Sequence, residues 1–451
     1  MREDFASQQN FLMRYAEASE RARKRVAESQ ARPKEERKED RKEERKERVN
    51  DKLREMAKEK VREQAMAVTV ERVQPNNAKQ TPAQDNGPFD WWLFTIMMTL
   101  LAIGLVMVLS ASSIVAEYTY HDKYYFFKRQ VLYAGLGVVA LFAAALAPRR
   151  LLYRTHYWAL FVTLILLALT LTPFAPTING AKRWINLGFA SLQPMEFVKI
   201  ALVLYLAYFM SAKQETVRTF WRGVFPPCFV TSLYCVILLS QPDFGSAIVL
   251  AGILFFMCIA GGIRWVYISW SLVLGLASMA LLAISAPYRM ERLKAFLDPF
   301  KDPSGAGYQL IQSFYALASG GLFGVGVGAS QQKMFYLPEA HNDFIMSVIG
   351  EEMGLLGITI IMLLFACLFW RCFRIVMAQK EMRARLSCFG LTAIIAIGAL
   401  TNLAVVMGML PPKGVAMPLL SYGGSNLIAT MLCIGLILNF SRSVPSCEKL
   451  S

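Results

Sequence analysis

Ten apolar segments alternate with polar ones between residues 91 and 441. They lie near 91–112, 131–148, 157–174, 195–211, 224–240, 245–262, 265–286, 344–370, 388–409 and 424–441. Several approach or exceed the ~20 residues that a helix needs to cross a bilayer. The pattern predicts an all-α polytopic membrane protein of about ten transmembrane helices, with the fourth and fifth spans short or polar-tipped. A long stretch from Ala286 to Asp343 separates spans 7 and 8, and loops of that length in a compact chain are usually functional. Leu410 to Asn426 (LPPKGVAMPLLSYGGSN) is rich in Pro and Gly. It predicts broken or re-entrant backbone, which membrane depth tolerates only where it is buried or lines a cavity.

Composition agrees with this class and separates the N-terminus from it. The 451 residues are 55% hydrophobic and only 18% charged, and that charge is concentrated ahead of the first span. Residues 34–64 are almost entirely charged, with Glu and Lys/Arg at i,i+4 spacings that support a solvated helix. No apolar stripe there is wide enough to pack. Residues 68–88 read as a Pro-, Asn- and Gly-rich linker. The expected organisation is a charged cytoplasmic tail and linker over 1–88, a membrane domain over 89–441 and a short cytoplasmic tail over 442–451. The first residues are polar, so no signal peptide is expected. Acidic residues interspersed among the basic ones favour a solvated tether over a partner- or lipid-binding tail, and no nucleic acid partner is expected.

Lys/Arg bias sets the orientation. With the basic tail inside, Arg149, Arg150, Arg154, Lys213, Arg218, Arg222, Arg264, Arg371, Arg374, Lys380, Arg383 and Arg385 fall on inner loops. An even number of spans places both termini in the cytoplasm and makes the 286–343 loop extracytoplasmic. All eight cysteines fall in spans or inner segments without zinc-ligand spacing, and the chain has three His. A His/Cys metal centre is not expected. Neither a Walker-type phosphate loop nor a serine nucleophile elbow is present.

Several outer segments nevertheless carry cations that topology disfavours: Lys182, Arg183, Arg289, Arg292, Lys333 and Lys413. An anionic substrate would explain them; interfacial anchoring by long side chains is the plainer alternative. Lys182 and Arg183 lead into Trp184, a combination suited to a membrane interface and to sugar or phosphate contact. Glu196 and Lys199 follow at i,i+3 inside the next span, either neutralising each other or lining a polar groove. Asp243 in the QPDFG turn suits a helix cap. The most distinctive stretch is LPEAHNDF, which sets Glu339, His341 and Asp343 at the mouth of the eighth span. Two readings stay open for Asp343: a helix cap, or an acid kept at the membrane for chemistry.

Taken together, KRWINLG, QPMEFVK, QPDFGSA, DPSGAGYQLIQS, LPEAHNDFIMSVIGEEMGLLG and LPPKGVAMPLLSYGGSNL resemble, in order, the SEDS family of cell-wall proteins (FtsW, RodA, SpoVE). The resemblance covers Trp91 to Phe440. LPEAH, and PPKG ahead of SYGGS, look most like the division subfamily, FtsW. It implies a peptidoglycan glycosyltransferase that polymerises lipid II at the outer face of the cytoplasmic membrane, at the division septum. The implied partners are lipid II, the nascent glycan, a class B penicillin-binding transpeptidase and other division proteins. The family's essential loop acid falls on Asp343, its loop Trp on Trp184, and its membrane Glu and Lys on Glu196 and Lys199. Asn342 stands where many members have Thr.

The implied chemistry fits the residues. A sugar hydroxyl is a weak nucleophile that a positioned carboxylate activates as general base, and Asp343 is the candidate. The departing diphosphate needs charge stabilisation, which Arg183, Lys199, Arg289, Arg292, Lys333 and Lys413 are placed to supply. A divalent cation, Mg2+ or Mn2+, held at Asp343 is a second source of that charge. Glu339, His341 and Ser421 either meet substrate or shape turns, and the Gly residues after Ser421 suit close backbone approach. Polar groups within spans also fit a lipid II flippase, and a non-catalytic divisome scaffold is a third reading.

Overall fold

In the computed structural model each predicted apolar segment coincides with a helix. The structure describes residues 19–21, 23, 24, 56, 87, 89–173, 175–177, 180–186, 188, 191–284, 287–305 and 307–442. The chain divides into Met1–Pro82 and Ala83–Ser451. Nearly all of the expected N-terminal tail, and residues 443–451 of the C-terminal one, lie outside the described residues. In the first unit, 19–21, 23, 24 and 56 are helical.

The second unit is a helical bundle. Its elements are α1 (Trp91–Tyr120), α2 (Tyr125–Leu146), the short α3 (Arg149–Arg154), α4 (His156–Leu169), a two-strand hairpin (β1 Ile185–Asn186, β2 Ser191–Leu192), α5 (Pro194–Ala212), α6 (Phe225–Ser240), α7 (Phe244–Ala260), α8 (Trp265–Ile284), α9 (Pro287–Leu297), α10 (Tyr308–Gly320), α11 (Ile345–Ala378), α12 (Met382–Val406) and α13 (Gly424–Ser441). Among the described residues, seven helices are long and apolar enough to cross a membrane: α1, α2, α5, α6 with the π-turn before it, α11, α12 and α13. The apolar parts of α4, α7 and α8 are shorter.

Helices outrun the hydropathy pattern at several places, α11 running on to Ala378 and α12 starting at Met382. α1 continues to Tyr120, and α2 starts at Tyr125 with the polar turn YFFKRQ ahead of its apolar run. The loop expected over 286–343 contains α9, α10 and a 3-10 turn at Pro299–Lys301. The Pro/Gly segment before α13 is non-helical, as its composition predicts.

α13 is the axis of the bundle. It is buried along nearly all of its length and packs on α2, α5, α11 and α12. Close approach to α2 depends on small residues: a Cβ at Gly435 would run into the Leu141 carbonyl of α2, the packing that membrane helices use in place of a hydrophobic drive. At the end of the bundle away from Asp343, polar contacts lock helix termini. Asn439 donates to the carbonyls of Ala144, Ala145 and Ala147 at 3.0, 3.1 and 2.7 Å. Asp90 caps α1 through the Leu93 N–H at 3.1 Å and pairs with Arg371 at 2.9 Å.

One break in the helices shapes the opposite end. α11 is interrupted at Gly354, where φ is 65° and ψ is −165°. The groups freed by the break are taken up by the incoming loop. Val325 and Gly326 N–H donate to the Glu351 and Glu352 carbonyls (2.9 and 3.0 Å), and Leu355 and Leu356 N–H donate to the Gly321 and Leu322 carbonyls (2.9 and 3.1 Å). Unpaired backbone in such a place costs far too much to persist. The loop that ends in Asp343 is therefore stitched to the helix that begins after it.

Candidate active site

Asp343 is not a helix cap. Phe344 holds the cap position of α11, and no side chain bonds to the helix's first N–H groups. The turn before it is tight, with Glu339 at φ 55°. Asn342 N–H donates to the Glu339 carbonyl at 3.0 Å, and the Asn342 side-chain amide donates to the Glu339 carboxylate. From α12, Asn402 donates to the carbonyls of both Asp343 and Val415, each at 2.7 Å. Gly414 of the Pro/Gly segment lies against the carboxyl group; a Cβ there would sit 2.8 Å from Asp343 Oδ2. Burial pushes the Asp343 carboxyl up to about 7, Glu339 adds to the rise and Arg183 opposes it. The residue as a whole is half-buried.

Arg183 lies within electrostatic reach of Asp343 and joins further cations near the turn at 242–245. Arg183 Nη2 donates to the Pro242 carbonyl at 2.8 Å, and its Nε lies 3.6 Å from Asp243 Oδ2. Lys413 Nζ donates to the Gly245 carbonyl in the same turn. Burial lowers the Lys413 pKa to about 8; Asp243 and Glu196 work against the fall, while Lys199 and Arg183 add to it. Lys199 and Glu196 pair at 2.6 Å near the start of α5, whose Pro194 sits at the first helical position. Asp243 caps α7 through Ser246 N–H at 3.3 Å, as its sequence position predicts.

The other candidate residues divide between scaffold and elsewhere. His341 is buried, its ring beside Phe126 and Tyr422 (centroids at 4.6 and 5.7 Å) and its carbonyl accepting the Tyr422 N–H at 2.9 Å. Burial lowers its pKa, against the pull of Glu339. Ser421 Oγ accepts from Met417 N–H at 2.8 Å, and the Ser421 carbonyl accepts from Gln130 at 3.0 Å. Both residues hold backbone in place. Lys182 and Trp184 are half-buried beside Arg183, leading into the hairpin. The hairpin's far end is fixed by Ser425, which accepts from Gln193 N–H at 2.9 Å and donates to the Ser191 carbonyl at 3.2 Å.

Lys333 departs from expectation. Instead of standing free for a phosphate, it is 4% exposed and paired with Glu352 at 3.1 Å. The loop folds back onto α11 and buries the ammonium against an acid that the sequence places nineteen positions away. Arg292 is exposed on α9, and the side chain of Arg289 lies outside the described residues. Among the described residues, no three His, Cys, Asp or Glu side chains converge to hold a metal ion.

Sequence reasoning missed Asn402 and Gly414. An Asn within an apolar span was the available signal, since polar groups at such depth are costly and need partners.

The cell cycle protein family FTSW_RODA_SPOVE matches residues 90–445. A probable peptidoglycan glycosyltransferase FtsW of Trichlorobacter lovleyi is 44% identical over 361 residues, covering 79% of this chain and 94% of the relative. Stage V sporulation protein E of Bacillus subtilis is 39% identical over 362 residues, covering 78% and 97%. Among solved structures, a chain described under "Structural coordination of polymerization and crosslinking by a peptidoglycan synthase complex" superposes with a TM-score of 0.65 at 32% identity, covering 78% of this chain and 98% of that one. Rod shape determining protein RodA of Thermus thermophilus gives a TM-score of 0.59 at 29% identity, covering 78% and 97%.

Proposed function

The chain belongs to the FTSW_RODA_SPOVE family of cell cycle proteins, and from that premise we propose that Asp343 is the general base of its glycosyl transfer. The protein is a multi-pass membrane peptidoglycan glycosyltransferase. In our reading it has ten spans, with both termini cytoplasmic and the Asp343 end facing outward at the division septum. Its substrate is lipid II, and a class B penicillin-binding transpeptidase and other division proteins are its partners.

The observation that carries the assignment is the desolvated Asp343 carboxyl group within electrostatic reach of Arg183, which shares its turn with Lys413. The acceptor's 4-hydroxyl attacks the anomeric carbon of the donor, forming the new C–O bond as the bond to the diphosphate breaks. Asp343 takes the hydroxyl proton; a pKa near the working pH suits a base of this kind. The electron pair leaves with the diphosphate, whose growing charge faces Arg183 and Lys413, with Lys199 behind them. In-line displacement converts the α-linked donor to a β-1,4 bond. Where a divalent cation, Mg2+ or Mn2+, takes part, Asp343 would hold it together with substrate phosphates, the usual setting for magnesium. It would supply charge to the same leaving group.

The test uses the full chain purified with its transpeptidase partner and labelled lipid II. Wild type should make polymer, and Asp343→Asn should make none while staying folded and bound to the partner. Polymer from both would remove Asp343 from the chemistry. No polymer from either, across divalent cations, would favour a flippase or scaffold.

A further inference from the structure

The acids that follow Asp343 on α11 do more than fill a helix. Glu351 and Glu352 are both buried, and each is bonded to the loop that leads to Asp343. The Glu351 carboxylate accepts from the Ser330 hydroxyl, from Gln331 N–H at 2.9 Å and from Gln332 N–H at 3.3 Å. The Glu352 carboxylate accepts from Lys333 at 3.1 Å and, through both oxygens, from Ser110 at 2.7 and 2.8 Å. Lys333 Nζ also donates to the Gly328 carbonyl at 2.6 Å and reaches Ser110 Oγ at 3.3 Å. The ammonium and both carboxylates thus find their partners without water or ligand.

Two features make this group more than a burial solution. The first half of α11 connects Glu352 to Asp343 as one rigid piece, roughly 14 Å at 1.5 Å per residue. The loop begins and ends on that piece, so the group closes a ring with Asp343 on its rim. Ser110, however, belongs to α1, which packs on α2, and α2 supplies the Phe126 and Gln130 that support His341 and the Ser421 turn. Glu352 is therefore one of the points at which the Asp343 ring is tied sideways to the bundle, beside the Asn402 bond to the Asp343 carbonyl and the Tyr422 bond to the His341 carbonyl.

We infer that Lys333 and Glu352, joined to Ser110, are positioning residues that hold Asp343 in register with the cations on the neighbouring loops. The inference rests on Asp343 being the base. Lys333 holds the loop against Glu352 and Ser110 holds Glu352 against α1, so loss of either link lets the ring shift against Arg183 and Lys413. Misplacement by about 1 Å is enough to cost on the order of 100-fold in rate. Ground-state binding of lipid II through other contacts stays the same.

The experiment compares wild type, Lys333→Met and Ser110→Ala as full chains with the transpeptidase partner. It reads initial polymerisation rate against lipid II concentration and, separately, hydrogen exchange of residues 334–343. Folded Lys333→Met should lose about 100-fold in kcat with KM unchanged, and its 334–343 segment should exchange faster. Ser110→Ala keeps both charges and should show a smaller kcat loss, again at constant KM. Folded Lys333→Met with wild-type kcat overturns the inference. If Lys333→Met does not fold, Ser110→Ala with wild-type kcat overturns it. If wild type makes no polymer, the proposed reaction fails instead, and unchanged exchange in the variants then overturns the anchor on its own.

Discussion

Asn402 donates both protons of its side-chain amide to loop carbonyls, one to Asp343 and one to Val415, each at 2.7 Å. Its own Oδ1 is buried without a hydrogen-bond partner among the described residues, so the value of this amide lies in its two donors. It joins the Asp343 turn to the segment carrying Lys413 and Gly414. Asn402→Leu keeps the branched heavy-atom shape and leaves two carbonyls unpaired, at a cost of about 1–3 kcal/mol. The expected result is a lower thermal midpoint in detergent and a loss of polymerisation larger than that destabilisation explains. A variant that loses stability but keeps wild-type kcat would show that the amide serves the fold alone.

The acid and the base chemistry should appear in the pH profile. Asp343 is raised to about 7, so the fraction present as base grows as pH rises through that value. Lys413 is lowered to about 8, so its charge is lost above that value. Against pH, kcat/KM, which reports the free enzyme, should form a narrow bell between the two. Glu339 raises the Asp343 pKa, so Glu339→Gln should move the acid limb to lower pH. Arg183 lowers it, so Arg183→Gln should move that limb upward. Limbs that stay in place in both variants would mean that another group controls the rate.

Two glycines test the site from opposite sides. A Cβ at Gly414 would press on Asp343 Oδ2, and one at Gly245 would press on the Lys413 side chain. Neither glycine has a positive φ, and in each case the obstructing atoms end a side chain that can swing away. Gly414→Ala should therefore change stability by less than about 0.5 kcal/mol while lowering kcat, because the base is displaced. Gly245→Ala should lower kcat and raise KM as well, because the displaced group meets both the bound diphosphate and the charge that grows on it. Equal effects of both variants on kcat and KM would argue against separate roles.

Sequence reading succeeded where the signal was local. Apolar runs marked the helices, the Pro and Gly of 410–426 marked irregular backbone, and Asp243 declared itself as a cap. Lys333 misled because a loop lysine looks the same whether it awaits a phosphate or folds onto an acid. Only the path of the loop decides, and that path depends on a helix break the hydropathy pattern does not register. Asn402 was overlooked for the same reason, since its partners lie 59 and 13 positions away. Arg183, Lys199 and Lys413 were all proposed as phosphate partners. The meeting of Arg183 and Lys413 at the 242–245 turn is a matter of tertiary structure, as is the electrostatic reach of Lys199 to Lys413.

That helix break is itself open to test. Gly354 at φ 65° and ψ −165° occupies a region essentially closed to other residues. A Cβ there would also meet the Leu322 carbonyl oxygen at 2.6 Å and the Gly324 backbone. These obstacles are main chain and have nowhere to move: the Leu322 carbonyl already accepts from Leu356 N–H, and Gly324 N–H already donates to the Gly320 carbonyl. Gly354→Ala therefore adds a conformational penalty to a steric one, and at least about 3 kcal/mol is expected. Gly135 on α2 is the control: a Cβ there meets nothing within 4 Å. Ala within a helix is favoured over Gly by roughly 0.5–1 kcal/mol. In one thermal-unfolding series, Gly135→Ala should match or exceed wild type while Gly354→Ala falls well below it. If Gly354→Ala unfolds with wild type, α11 runs straight through residue 354, and the loop carrying Asp343 is held by its side chains alone.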